Sequence, residues 1–384
     1  MQIAPAPRSM PRSGIREIGE IAAATPGVIR LEIGEPDADT PAHIIEAADR
    51  AARAGRTHYS PNAGIAGLRE ALAEKMHAVN GVTADPGRIV VTNGAVNAIF
   101  NTLAAIITAG DEVLVPDPGW PNYRMMIALL GGRSIPFAVP AEGTPLDLDA
   151  LSARTSSRTK AIIVNSPSNP TGGLIDSSAL RDLYVFAERH DLWIIADDVY
   201  DQIVFDSAPY SVGSVEDAPA RVITVGSFSK TYAMTGWRVG YLAAPPSLAE
   251  VIAKIQEPVV SCVNTPAQFG ALAALEGPQD FVRTSVATYR HRASIATGLL
   301  RGAGVAYLPP RGGFYLWVST GDAPGADVAR ALVRDHGVAV APGATFGDSG
   351  RHAVRIALAN TDDRIREGID RILASGLITG RTDA

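Results

Sequence analysis

The chain is poor in sulfur chemistry. One of its 384 residues is a cysteine, Cys262, so no internal disulfide framework holds it, and a single thiol fits a reducing cytoplasm. A basic surplus is also missing. The net charge of -6 argues against broad binding to nucleic acid or to an anionic membrane. No apolar run approaches the roughly 18 residues that span a bilayer, and the opening "MQIAPAPRSMPRSG" has no apolar core of a secretory signal. Internal repeats are absent, and low complexity is confined to the Pro- and Ser-containing first dozen residues. The seven histidines are scattered without metal-ligand spacing, and no Gly-x-Gly-x-x-Gly follows a strand-like run. These absences leave a cytoplasmic globular protein as the expectation. At 46% hydrophobic and 19% charged residues, the chain can bury a sizeable core and has room for two domains.

From about residue 88 to 245 the pattern alternates between strand and helix. "RIVVT", "DEVLVP", "SIPFAV", "KAIIVNS", "LWIIAD" and "RVITVGS" read as strands. "AVNAIFNTLAAIIT", the stretch after Pro121 and "SSALRDLYVFAERH" read as helices between them. Short, continuously apolar strands joined by helices predict an α/β fold: a mostly parallel central sheet with helices on both faces. Ligands of such sheets bind beyond the carboxyl ends of the strands, where Asn93, Asp117, Asn165, Asp197 and Ser227 fall. The C-terminal part has a helical stretch around Tyr289 to Leu300, then strand-like "GFYLWVS", "GVAVAP" and "AVRIAL". That predicts a smaller α+β domain (residues 286–384) completed by an N-terminal segment (residues 1–40), beside a large domain (residues 41–285).

In "SFSKTYAMTGWRVGY" (residues 227–241), Lys230 follows a strand-like run and precedes Arg238 by eight residues, with no local acid for either cation. "GSFSKT" lacks the second glycine of a phosphate-binding loop, because Ser229 precedes the lysine. "SFSK" satisfies Ser-x-x-Lys, but its Lys-Thr-Gly companion does not occur. On this fragment alone, an ordinary loop lysine stands level with a functional one.

The rest of the chain changes the balance. "VNSPSNPTGG" (164–173) and "IIADDVYDQI" (194–203), with the lysine stretch, resemble the fold-type I pyridoxal-phosphate aminotransferases of the aspartate aminotransferase class. "LEIGEPDADTP", "HYSPNAGIAGLREALAEK", "VTNGAVNAIF", "PRGGFYLW" and "VRIALAN" follow the family's order nearly end to end. The resemblance implies pyridoxal 5'-phosphate as cofactor and Lys230 as the amine that condenses with its aldehyde as a Schiff base, then moves the Cα proton. By the same resemblance Ser227 and Arg238 bind the phosphate, and the anion is the partner that Arg238 lacks.

The other expected roles carry the same mark. Asp197 is matched to the acid that keeps the ring nitrogen protonated, with Asp198 as its rival on the opposite face of the strand. Asn169 and Tyr200 are matched to hydrogen-bonding partners of the ring hydroxyl; Asn165 is the competing asparagine of a common turn. Gly94, Ala95 and Val96 would offer backbone N–H groups to the phosphate where "NGAVNAIF" starts a helix. Trp120 is matched to the aromatic stacked on the ring. Tyr59 is matched to a tyrosine reaching the phosphate of a neighbouring subunit, which implies a homodimer with shared sites. Arg355 is matched to the arginine that grips the substrate carboxylate, Gly34 leaves room beside it, and Arg351 is the nearby surface alternative.

The implied reaction moves an amino group from an α-amino acid to a 2-oxo acid by a ping-pong route. Aspartate, alanine, aromatic and specialised substrates all stay open. Dicarboxylate-specific relatives add a basic residue for the second carboxylate, and the helix after Gly94 offers only apolar, Asn and Thr side chains. Two alternatives stand beside this reading. One is β-elimination on the same scaffold. The other is an effector-binding module, which would need an attached DNA-binding domain that the short N-terminus leaves no room for.

Overall fold

Six of the apolar runs become strands of one sheet in the computed structural model, which describes residues 7–8, 13–139, 146–207, 210–215 and 218–378. The rest of the Pro- and Ser-containing first dozen therefore lies outside the described residues. In chain order the first eight strands are β1 (Ile29–Arg30), β2 (Ile89–Thr92), β3 (Glu112–Asp117), β4 (Arg133–Ala138), β5 (Thr159–Asn165), β6 (Trp193–Asp197), β7 (Val222–Ser227) and β8 (Gly240–Ala243). Seven of them form one sheet in the order β2-β8-β7-β6-β5-β3-β4. All pairs are parallel except those made by β8, which runs antiparallel to both β2 and β7.

Successive residues of these strands enter different cores, as the two-residue period of a strand requires. Ala161, Ile163, Ile195, Ile223 and Val225 pack against helices Ala95–Ile106, Asn122–Leu129 and Pro246–Val260. Ile162, Val164, Ile194 and Ala196 face the other way, against helix Ser177–Arg189. Covered on both faces, the strands need apolar residues at every position. That is why they read as unbroken runs and not as alternating ones.

The smaller sheet contains β9 (Tyr307–Leu308), β10 (Tyr315–Ser319), β12 (Ala341–Pro342) and β13 (Ala353–Ala357), antiparallel in the order β12-β13-β10-β9; β11 (Val338–Ala339) pairs in parallel with β1. Ile18, Ala22, Ile29 and Leu31 share one core with residues from Tyr289 to Ile378, and Tyr200 and Ile203 reach into it. Helix Asp280–Gly302 runs unbroken through residue 285. No helix among the described residues is long and apolar enough to cross a membrane.

Candidate active site

The carboxyl ends of β2, β3, β5, β6 and β7 lie along one edge of the sheet, and the amino end of antiparallel β8 joins them there. Gly240, which opens β8, pairs with both Thr92 and Ser227, the last residues of β2 and β7. A Cβ at Gly240 would stand 2.6 Å from the backbone nitrogen of Ala95, so only glycine lets β8 approach the helix that starts there. Gly94 caps this helix with φ +81°.

Above this edge is a cavity of about 260 Å³ bordered by Lys230, Arg238, Arg355 and Asp197. A neighbouring depression is larger, about 590 Å³, but its charged lining is acidic: Glu35, Asp37 and Asp39. The chemistry, not the volume, marks the smaller one.

Lys230 sits in the four-residue turn Phe228–Thr231 that follows β7, and Ser227 caps this turn through the N–H of Ser229. Its Nζ donates to the Gly34 carbonyl at 2.6 Å, across 196 residues of chain. Burial lowers the amine to about 8, and nearby Arg355 and Arg238 push the same way against Glu35. Arg238 holds a positive φ of 57° and donates to the Thr235 carbonyl at 2.7 Å, which keeps its guanidinium beside Gly94. Among the described residues, Lys230, Arg238 and Arg355 form no ion pair with a carboxylate. Three cations around one cavity, none of them in an ion pair, make an anion site.

Asp197 ends β6 and is buried facing the cavity, where it accepts the Tyr123 hydroxyl. Burial raises its carboxyl to about 6, opposed by the bonds from Tyr123 and the Val199 N–H. Asp198 turns to a separate small cavity shared with Asn80, Asp201 and Tyr210. Asn165 ties the neighbourhood together: its carboxamide donates to the Asp197 carbonyl at 2.8 Å and accepts the Asn169 N–H at 2.7 Å. The loop after Asp197 is anchored where Lys75, which also donates to Asn80 Oδ1 and the Tyr241 hydroxyl, pairs with buried Asp201.

Arg355, on β13, is 2% exposed, and burial lowers its proton affinity. Its Nη1 donates to Asn169 Oδ1 at 2.9 Å and its Nη2 to the Glu32 carbonyl at 2.6 Å. The guanidinium lies 4.2 Å from the centre of the Tyr315 ring and 4.8 Å from that of Phe346. Its Nε is buried without a partner. A planar cation held against two aromatic rings, with a donor left over, is built to meet a carboxylate.

The profile described as "Aminotransferase class I and II" matches residues 26–372. An aspartate aminotransferase of Pyrococcus abyssi is 38% identical over 94% of both chains. An aromatic-amino-acid aminotransferase of Thermococcus litoralis is 36% identical, again over 94% of both. The solved structure of a Thermus thermophilus aspartate aminotransferase single mutant superposes with a TM-score of 0.92, at 34% identity, over 97% of this chain and 99% of that one. This chain belongs to the class I and II aminotransferases. It is an enzyme, a transaminase dependent on pyridoxal 5'-phosphate.

The residues present fit that cofactor. A lysine of lowered proton affinity, a buried carboxylate facing the same space, and an arginine beside a glycine-capped helix start suit an aldehyde, a ring nitrogen and a phosphate in turn. Of the residues singled out in the sequence, Gly34, Ala95, Val96, Trp120, Asn169, Asp197, Tyr200, Ser227, Lys230, Arg238 and Arg355 line the cavity, and so does Asn165, the competitor of Asn169. Gly94 stands behind it, against Arg238. Tyr59 does not reach it within one chain and is 88% exposed. Arg351 is exposed, outside the cavity lining.

Sequence reading passed over Tyr123 and Tyr315. The first stands one helical turn past Trp120, with the two rings edge to face at 5.3 Å. The second bonds the Tyr200 hydroxyl at 2.9 Å and stacks on Arg355. Helical spacing from Trp120 was the available signal for Tyr123. Tyr315 had only its place in "PRGGFYLW".

Proposed function

We propose that the transamination follows a ping-pong course, with Lys230 as the base at Cα, Arg355 as the grip on the α-carboxylate and Asp197 as the partner of the ring nitrogen. When bound, pyridoxal phosphate supplies the aldehyde that takes up the donor's amine and the ring that draws electron density from Cα. Lys230 holds an appreciable free-base fraction near neutral pH, because burial brings it to about 8. That suits a group which must accept and return a proton in one cycle. Asp197 keeps a negative charge opposite a protonated ring nitrogen, and such a neighbour brings its raised proton affinity down again. Arg238, Ser227 and the backbone at Gly94, Ala95 and Val96 hold the phosphate. Trp120 would cover a face of the ring, and Asn169 and Tyr200 would hydrogen-bond its hydroxyl. Gly34 keeps space beside Arg355: a Cβ there would collide with the Tyr315 hydroxyl.

The single observation that carries these roles is the convergence of Lys230 and Arg238, Asp197, and Arg355 on one cavity from three separate stretches of chain. The proposed assembly is a cytoplasmic homodimer in which Tyr59 of a second copy reaches the phosphate. Its high exposure in one chain supports that. The chain is divided into a large domain of residues 41–285 and a small one of residues 286–384 completed by 1–40, which the shared core of Ile18, Ile29 and Leu31 with later residues supports.

Two measurements test the reading. Borohydride reduction of the holoenzyme followed by peptide mapping should place the cofactor label on Lys230; a label on Lys160 or Lys254 would reject the assignment. Initial rates with an amino acid and a 2-oxo acid should give parallel double-reciprocal lines. Pyruvate released from a sulfur amino acid without any acceptor would point to β-elimination instead.

A further inference from the structure

We propose that the amino donor is a neutral amino acid with an extended apolar side chain, selected by a wall of Ile15, Ile33 and Val96. The proposal rests on the transaminase reading of the cavity and concerns the one part of the substrate that reading leaves open.

The wall is unusual for its exposure. Ile33 and Val96 are 42% and 38% exposed, among the few large apolar side chains in the described residues that no core covers. Both line the cavity, and so does Ile15. Ile15 leans on the cluster containing Phe346, the ring stacked on Arg355, so the wall begins beside the carboxylate grip. Ile33 adjoins Gly34, whose carbonyl receives Lys230, and Val96 lies in the first turn of the helix behind the phosphate site. A donor held by Arg355 at its carboxylate, with Cα at Lys230, therefore has apolar surface beside it.

Within one chain, the cations and the tyrosine pair nearby are already engaged. Arg238 and Arg355 have the phosphate and the α-carboxylate, and the hydroxyls of Tyr200 and Tyr315 are bonded to each other. The Thr235 hydroxyl donates to Glu35, whose negative charge is felt at Lys230. A second substrate carboxylate here would lose water against isoleucine and valine, and Glu35 in the neighbouring depression would add a like charge nearby. A hydrocarbon side chain loses nothing, and each methylene buried should raise kcat/KM about fourfold.

The test uses the holoenzyme with a donor series from alanine through 2-aminobutyrate and norvaline to norleucine, alongside aspartate, glutamate and ornithine. Calorimetry with unreactive 4-methylpentanoate and succinate reads binding without turnover. The expected results are kcat/KM rising along the series and the monocarboxylate binding at least about tenfold tighter than the dicarboxylate. Val96→Lys should shift that binding ratio toward succinate, and Ile33→Thr, which adds no charge, should weaken 4-methylpentanoate alone. Preference for aspartate, glutamate or ornithine, or an unchanged ratio in Val96→Lys, would overturn the proposal and leave the transaminase reading standing. Absence of a 2-oxo acid product from every donor would overturn both.

Discussion

Asp197 and Asp198 are adjacent, chemically identical and both buried, yet only the first faces the cavity. Because burial holds the folded Asp197 at about 6 against about 3.9 unfolded, its contribution to stability is greatest when protonated. That contribution is complete below about pH 4 and is lost as the pH rises through 6. The cofactor-free Asp197→Asn protein should therefore be more stable than the parent at pH 7, by on the order of 1–3 kcal/mol, with the gap closing as the pH falls from 6 toward 4. Denaturant titrations of apoprotein across that range measure it, and the same variant should retain pyridoxal phosphate less well. A variant less stable than the parent at pH 7 would contradict the account. Arg355 makes a different case, because its fork and its ring stack act together. Arg355→Ala should lose two charge-assisted hydrogen bonds to substrate, about 3–6 kcal/mol or roughly 10²- to 10⁴-fold in kcat/KM. Arg355→Lys should recover only part of this, since it keeps the charge without the fork. The absorbance of the bound cofactor should barely change in either variant; steady-state rates beside a spectrum separate the two effects.

Among the elements, β8 decides how close the sheet comes to the helix start proposed to hold the phosphate. Gly240 packs on the Gly94 backbone, and an added Cβ would stand 2.6 Å from the Gly94 carbonyl carbon. The nearest atoms are all backbone of Gly94 and Ala95, so no flexible side chain can give way. Gly240→Ala should cost about 1–3 kcal/mol of stability from overpacking. It should also raise the dissociation constant for pyridoxal phosphate by about tenfold or more as β8 is pushed off Ala95. Gly236→Ala is the control, because a Cβ there meets nothing within 4 Å. Fluorescence titration of the apoproteins with cofactor, paired with thermal melts, reads both quantities. Equal behaviour of the two variants would mean that the contact with β8 does not set the phosphate site.

For the whole molecule the consequence lies in Tyr59, a tyrosine left 88% exposed between two helices. If a second copy carries it to the phosphate, inactive Tyr59→Ala and Lys230→Ala proteins should complement when their subunits exchange. Each mixed dimer holds one intact site, so an equal mixture should recover about a quarter of the parental activity. Sedimentation of the mixture alongside the assay confirms the exchange. Full activity in a strictly monomeric protein would exclude the shared site.

Local pattern settled much of this protein. The apolar runs predicted β2 to β7 to within a residue or two, because strands buried on both faces must be apolar throughout. The motif stretches contained Lys230, Asp197, Asn169 and Arg238, because turns and strand ends carry their own signatures. β8 was not read as a strand, since "GYLA" is short and gains its identity only by pairing with β2 and β7. Tyr123 and Tyr315 escaped for the same reason: their partners, Asp197 and Tyr200, lie 74 and 115 residues away. The lowered proton affinity of Lys230 is also a property of burial beneath Gly34 and of the two arginines around it. Residue type and period are written along the chain. Desolvation, charge neighbours and the apolar wall of Ile15, Ile33 and Val96 arise only when distant segments close on one another.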